Sequence, residues 1–320
     1  MTLDDPKIRE ALEDKALPKM SFGDHLDELR SRLVKALIAI VVAVVGVLPF
    51  KSGVQEIIIE PYRVQWRIGF TDWIQQLEAK EAVAKAANVA LDKETVEYLG
   101  YCREHKDTIL AGQKQYTYNL TLRTGFPVPY SLYATGGLDD MMSFMWASLV
   151  FAMILASPVV LWQIWAFIAA GLYQNERKVF YRYFPFMVVL MVAGVSFGYF
   201  VALPYSLGFL IRMMDPAQVN AIFGIGSFLT LLFALTGAMG LVFQLPLVMV
   251  ALQRIGLVSH RAFVKNWRMT ILIIFIVAAV VTPPEPVSMI LMAAPMLLLY
   301  GLGLVLTRWA RHRDAPVVVA

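Results

Sequence analysis

The sequence is poor in the residues from which most enzyme sites are built. It has one cysteine, Cys102, so no intrachain disulfide or multi-cysteine metal centre can form. Cys102 reads as a free thiol of incidental structural role, since a disulfide would need a second chain. The four histidines, His25, His105, His260 and His312, all lie outside the apolar runs. A His-ligated metal site or a Ser/His hydrolase within those runs therefore lacks its parts. No GxxxxGK[ST] loop occurs, which argues against nucleotide hydrolysis by this chain. Charge is scarce as well, at 16% of 320 residues, against about 25% in ordinary soluble domains. The expectation is a non-enzymatic protein with no catalytic residue, no metal and no cofactor.

What the sequence has instead is apolar length. Hydrophobic residues make up 58% of the chain, and the mean hydropathy is +0.62. Residues 1–140 hold 17 Lys/Arg and 20 Asp/Glu, whereas 141–320 hold only 11 and 4. Long uncharged runs of this kind need a bilayer around them. The first 32 residues are too charged for a cleaved signal peptide. Six spans are expected, at about 33–50, 144–170, 183–203, 228–252, 267–282 and 286–307. The fifth is short, and Pro283, Pro284 and Pro286 divide it from the sixth. The fold class is therefore an all-α integral membrane protein with six transmembrane helices.

Short loops give the orientation. Arg177, Lys178 and Arg182 follow span two; Arg254, Arg261, Lys265 and Arg268 follow span four; Arg308, Arg311 and Arg313 follow span six. The opposite loops carry only Arg212 against Asp215, and Glu285. The positive-inside rule then places both termini in the cytoplasm. Residues 1–20 and 309–320 are cytoplasmic tails around a six-span domain at 21–308, and about 62–129 reads as an extracytoplasmic insertion. One or two helices are expected over Thr71–Lys106, with Trp73, Leu77, Val83, Ala87 and Leu91 as a rough apolar stripe.

Several polar residues need an account. Before span one, Phe22, Leu26, Leu29 and Leu33 line one helix face behind a Ser21/Asp24 cap, with Asp27, Glu28 and Ser31 opposite. Glu28 is either the i, i+4 partner of Arg32 or an acceptor for a cationic ligand. Glu176, just after span two, either pairs with Arg177 or Lys178 or accepts a guanidinium. Gln244, inside span four ahead of Pro246, must face another helix or a wet cavity. Glu285 is a dipole-complementing residue at the start of helix six or a contact for a partner helix. Trp162, Trp165, Trp267 and Trp309 read as interface anchors or packing residues. Gly194-xxx-Gly198 is a helix-packing signal.

Four stretches together resemble the TatC family, the polytopic subunit of the twin-arginine protein translocase. They are His25-Leu-Asp-Glu-Leu-Arg-Ser-Arg-Leu33; Ser157-Pro-Val-Val-Leu-Trp-Gln-Ile-Trp-Ala-Phe-Ile168 with Gly171-Leu-Tyr-Gln-Asn-Glu-Arg-Lys178; Val242-Phe-Gln-Leu-Pro-Leu247; and Thr282-Pro-Pro-Glu285 with Ala293-Ala-Pro-Met296. Their order within six spans is specific, and the resemblance covers roughly 20–62 and 130–308. It implies a curved, glove-like wall in the bacterial inner membrane that receives folded proteins bearing twin-arginine signal peptides. It implies that Glu28 and Glu176 contact the paired arginines, and that Arg30, Arg32, Gln163, Phe167 and Pro61 serve recognition or function. It also implies single-span partners resembling TatA and TatB, a lipid surround, self-association and no nucleic acid. Two features depart from the family: Gln244 stands where a Glu is frequent, and the loop after span one is longer than usual. The rival readings are a small-solute secondary transporter, which would want ionisable groups at the midplane, and a membrane scaffold.

Overall fold

The computed structural model describes residues 22–122, 125–134, 136–170, 174–213, 223–282 and 286–313. Its elements are α1 (Phe22–Val47), a 3-10 turn (Leu48–Phe50), α2 (Lys51–Ala86), α3 (Lys93–Glu104), α4 (Lys106–Leu110), α5 (Lys114–Leu122) and α6 (Asp139–Ala170). After these come α7 (Gln174–Phe197), a π segment (Gly198–Ala202), α8 (Leu203–Met213), α9 (Ile225–Val242), α10 (Leu245–Arg254), α11 (His260–Lys265), α12 (Trp267–Val281) and α13 (Pro286–Arg313). Among the described residues, five helical runs are long and apolar enough to cross a membrane. The fifth expected span, α12, has 15 residues. It reaches about 22 Å at 1.5 Å per residue, short of a hydrocarbon core of about 30 Å.

The chain divides into two compact units. One holds 1–51, 148–197 and 237–320; the other holds 52–147 and 198–236. In the first unit, α10 packs along α13, and α12 also lies against α13. A Cβ on Gly303 would sit 2.4 Å from Met249 Sδ and 3.3 Å from Pro246 Cα, so a larger residue there would have to push the Met249 side chain aside. Trp165 of α6, Met187 of α7, and Leu247 and Ala251 of α10 form a buried cluster. Span four departs from one continuous helix. It breaks after Val242 and restarts at Leu245, because Pro246 has no N–H for the Val242 carbonyl. The Gln244 carbonyl starts the next helix by accepting from the N–H groups of Leu247 and Val248, both at 3.0 Å.

The second unit corrects one expectation, the apolar stripe drawn through Trp73, Leu77, Val83, Ala87 and Leu91. α2 is one helix of 36 residues, extending from the end of span one through Ala86. Its buried line is not the one led by Trp73, for Val83 is 69% exposed. The buried residues are Val54, Ile58, Pro61, Tyr62, Trp66, Gly69, Phe70, Ile74 and Glu81, so the face runs through Tyr62, Trp66 and Phe70. Trp66 stacks on Phe70 at 5.2 Å between ring centres and meets Phe126 and Tyr130 edge-on. Trp66 Nε1 donates to the Val128 carbonyl at 2.8 Å, and the Tyr62 hydroxyl donates to that of Pro129. The irregular return 125–134 is thus held by aromatic hydrogen-bond donors of α2. Tyr133 and Phe223 link backbones at 2.8 Å, with Ile225 N–H returning to Tyr133 at 2.9 Å.

Proline sits inside several of these helices, and at Pro61 and Pro158 a side chain meets the cost. Pro61 leaves the Ile57 carbonyl without its helical donor, and the Tyr199 hydroxyl fills that place. Pro158 does the same to Ile154, whose carbonyl accepts from the Ser157 hydroxyl at 2.6 Å. In lipid no water can cover a freed carbonyl, so a side-chain donor is what lets such a helix persist.

Candidate functional site

On α1, Leu26, Leu29 and Leu33 are exposed among the described residues and form an apolar face. Such a face suits lipid or an apolar ligand, and it turns the other side of the helix towards α6. There Arg32 Nη2 lies 2.7 Å from Glu28 Oε1, and Arg32 Nε donates to the same oxygen at 2.8 Å. Arg32 Nη1 also donates to Gln163 Oε1 of α6 at 3.3 Å. Both charged side chains are mostly covered, 21% exposed for Arg32 and 24% for Glu28. Coverage weakens solvent screening, which raises such a pair towards the upper end of the roughly 0.2–1 kcal/mol measured for exposed pairs.

The structure therefore brings together Glu28, Arg32 and Gln163. Phe167 lies one helical turn beyond Gln163 on α6 and is partly covered. Arg30 is exposed on α1. Glu176 belongs to α7, but its side chain lies outside the described residues, as does Glu285 altogether. Pro61 is buried in the second unit, where it acts on the path of α2. Gln244 is 7% exposed and donates from Nε2 to the Met187 carbonyl at 3.1 Å, so it does bind another helix. Its Oε1 has no donor among the described residues. A buried amide oxygen left this way costs about 1–3 kcal/mol, and it marks where an added donor would be welcomed.

Sequence reading missed the Arg32–Gln163 contact, since 131 positions separate the two. It also missed a polar knot in the first unit. Gln253 Nε2 donates to the Thr307 carbonyl at 3.0 Å, and His260 Nδ1 lies 2.9 Å from the Thr307 hydroxyl. Tyr300 adds a bond to the Phe263 carbonyl at 2.8 Å. The signal available was a run of polar residues, Gln253, His260 and Thr307, at the ends of apolar helices. Among the described residues, no group of three or more His, Cys, Asp or Glu side chains converges to hold a metal.

Known proteins were compared on this basis. The family model described as "Sec-independent protein translocase protein (TatC)" matches residues 24–295. The chain is similar to the Sec-independent protein translocase protein TatCy of Bacillus subtilis, 34% identical over 177 residues, covering 55% of this chain and 69% of that protein. It is similar to the TatC protein of Deinococcus radiodurans, 37% identical over 215 residues, covering 60% and 77%. In fold it is similar to a crystal structure of the twin-arginine translocase receptor TatC in DDM. That likeness has a TM-score of 0.61 at 24% identity over 88% of this chain and 99% of that one.

Proposed function

Because the chain belongs to the TatC family, we propose that the junction of α1 and α6 is its receptor surface for twin-arginine signal peptides. The protein is a multi-pass membrane component of a Sec-independent protein translocase, and its work is recognition and passage rather than bond chemistry. The proposal concerns which residues do the recognising.

The observation that carries it is that Glu28 already holds a guanidinium, that of Arg32, at 2.7 Å in a mostly covered position. A carboxylate that binds one guanidinium there can bind another. Two adjacent arginines bring a double positive charge, so a second carboxylate is wanted, and Glu176 is its candidate on α7. A guanidinium offers two parallel N–H donors to one carboxylate, whereas an ammonium offers a point charge; that difference lets the site tell Arg from Lys. Arg30, Gln163 and Phe167 would border the bound peptide, and the exposed Leu26, Leu29 and Leu33 would meet its apolar part. Gln244, with a spare acceptor, and Glu285 are proposed as polar contacts for single-span helices resembling TatA and TatB. Pro61 is proposed to act through the course of α2. The location that goes with this reading is the bacterial inner membrane with both termini in the cytoplasm.

The test is crosslinking of a twin-arginine signal peptide to the membrane-inserted chain. Glu28→Ala and Glu176→Ala should each weaken the crosslink while insertion stays intact. Wild-type crosslinking by the double variant would refute the site.

A further inference from the structure

Between Arg254 and Arg268 the chain carries four Lys or Arg residues and no acid. We propose that three of these cations, Arg261, Lys265 and Arg268, form a binding site for the head group of an anionic phospholipid, set in place by the docking of α11 on α13. The site uses other helices than the signal-receptor surface and a different ligand, so it stands or falls separately.

The backbone of this stretch is fixed by its own contacts. Gly256 has a φ of 79°, a left-handed conformation that turns the chain sharply after α10. Ser259 then caps α11, its hydroxyl accepting from the Ala262 N–H at 3.2 Å. Three hydrogen bonds tie the stretch to α13. Gln253 Nε2 donates to the Thr307 carbonyl at 3.0 Å, and the Tyr300 hydroxyl donates to the Phe263 carbonyl at 2.8 Å. The Thr307 hydroxyl gives its proton to the Leu304 carbonyl at 2.9 Å, so it must accept from His260 Nδ1, also 2.9 Å away. These bonds hold one side of α11 against α13 and settle which side is left outward.

The outward side has the chemistry of a phosphate site at the edge of hydrocarbon. Arg261 and Lys265 are exposed one helical turn apart, and the exposed Arg268 follows three residues later. The Arg268 guanidinium carbon lies 5.6 Å from the centre of the Trp267 ring, a cation–π contact. Among the described residues none of the three cations is paired with a carboxylate. Trp267 is 49% exposed and Leu257 is 70% exposed. An indole at head-group level and an aliphatic side chain beside it are what an acyl boundary accepts. A zwitterionic head group brings its own ammonium, which three unpaired cations repel; an anionic head group brings only the phosphate that they attract. Loop cations that do no more than set orientation need no defined geometry. These three stand on a platform that three hydrogen bonds hold still.

The experiment uses the full chain in nanodiscs of phosphatidylcholine with a graded fraction of phosphatidylglycerol. Native mass spectrometry counts the lipids of each class that the released protein keeps. Wild type should keep phosphatidylglycerol in preference. Arg261→Gln and Lys265→Gln should each lower that preference about fivefold, the factor for one cation near an anionic surface. Arg261→Lys keeps the charge and should keep most of the preference, which separates loss of the site from loss of the fold. Thr307→Val retains every cation but removes the acceptor for His260, and should lower the preference by a smaller factor. Lys35→Gln removes an exposed cation of α1 and should leave it unchanged. A wild-type preference in the Arg261→Gln/Lys265→Gln double variant, the result expected if the patch serves an acidic protein segment instead, would overturn the proposal. So would an equal fall in Lys35→Gln, which is the mark of a diffuse charge effect, or an unaltered Thr307→Val.

Discussion

At the scale of single residues, the prolines are the most instructive. Pro61 and Pro158 each remove a backbone donor from a helix, and in both cases one hydroxyl takes its place. For Pro61 the answer comes from Tyr199, on a segment remote in sequence, rather than from a neighbour like the Ser157 beside Pro158. Tyr199→Phe should therefore strand the Ile57 carbonyl and cost about 1–3 kcal/mol. Pro61→Ala returns a backbone N–H to that carbonyl, so the double variant Pro61→Ala/Tyr199→Phe should recover most of the loss. Thermal unfolding in detergent measures the cycle, and additive losses would show that the hydroxyl is not standing in for the missing N–H. The glycine pair shows the same local logic. A Cβ on Gly194 would fall 2.6 Å from the Met239 carbonyl, and one on Gly198 would fall 2.6 Å from Thr236 Cα. The spacing of these glycines was legible in the sequence, but the helix they approach was not.

At the scale of elements, α3 is docked on α2 by charge as well as by its apolar face. Tyr98, Leu99 and Cys102 of α3 are buried, and burial pushes the Cys102 thiol up to about 11, which keeps it protonated and inert at neutral pH. Arg103 reaches back to α2, at 2.8 Å from Glu81 and 3.2 Å from Glu78, while Lys85 lies 2.7 Å from Glu81. The hydrogen bond from Lys85, and next that from Arg103, hold the Glu81 carboxyl below its ordinary value. A carboxyl with a depressed value in the folded state stabilises the fold above its unfolded value of about 4.3. That contribution is lost as the pH falls through the folded value. The unfolding temperature of the wild type should accordingly drop as pH is lowered from about 4.3, and Glu81→Gln should flatten that part of the profile. An identical profile for the two proteins would mean that Glu81 does not couple α3 to α2. The sequence foretold helices here. It misassigned the buried line of α2 because what that line packs on, Phe126 and Tyr130, lies far off in the sequence.

At the scale of the whole molecule, the distribution of Lys and Arg is what the proposed orientation rests on. The 254–268 segment holds four cations and no acid, whereas 71–106 mixes both signs. Single cysteines introduced by Val89→Cys and Val264→Cys, both at exposed positions, test this in a Cys102→Ala background. A membrane-impermeant maleimide should label position 89 in intact cells and position 264 only after permeabilisation. The reverse pattern, or equal labelling, would overturn the orientation read from the loops.

The sequence by itself determined the solvent of this protein, its apolar spans and, through four ordered motifs, its family. Those properties are carried by composition and by short stretches of chain, so no packing need be known to read them. Only the tertiary structure decided which sides of the helices meet protein and which do not. In a membrane both faces of a helix are apolar, so hydropathy cannot tell a lipid-facing leucine from one packed against a neighbour. The i, i+4 pairing of Glu28 with Arg32 was among the readings the sequence offered, but for the same reason the partners of Gln163, Gln244 and Tyr199 were hidden. Each bond joins groups whose meeting depends on where two helices come to rest, and a span's sequence does not encode the position of its neighbour.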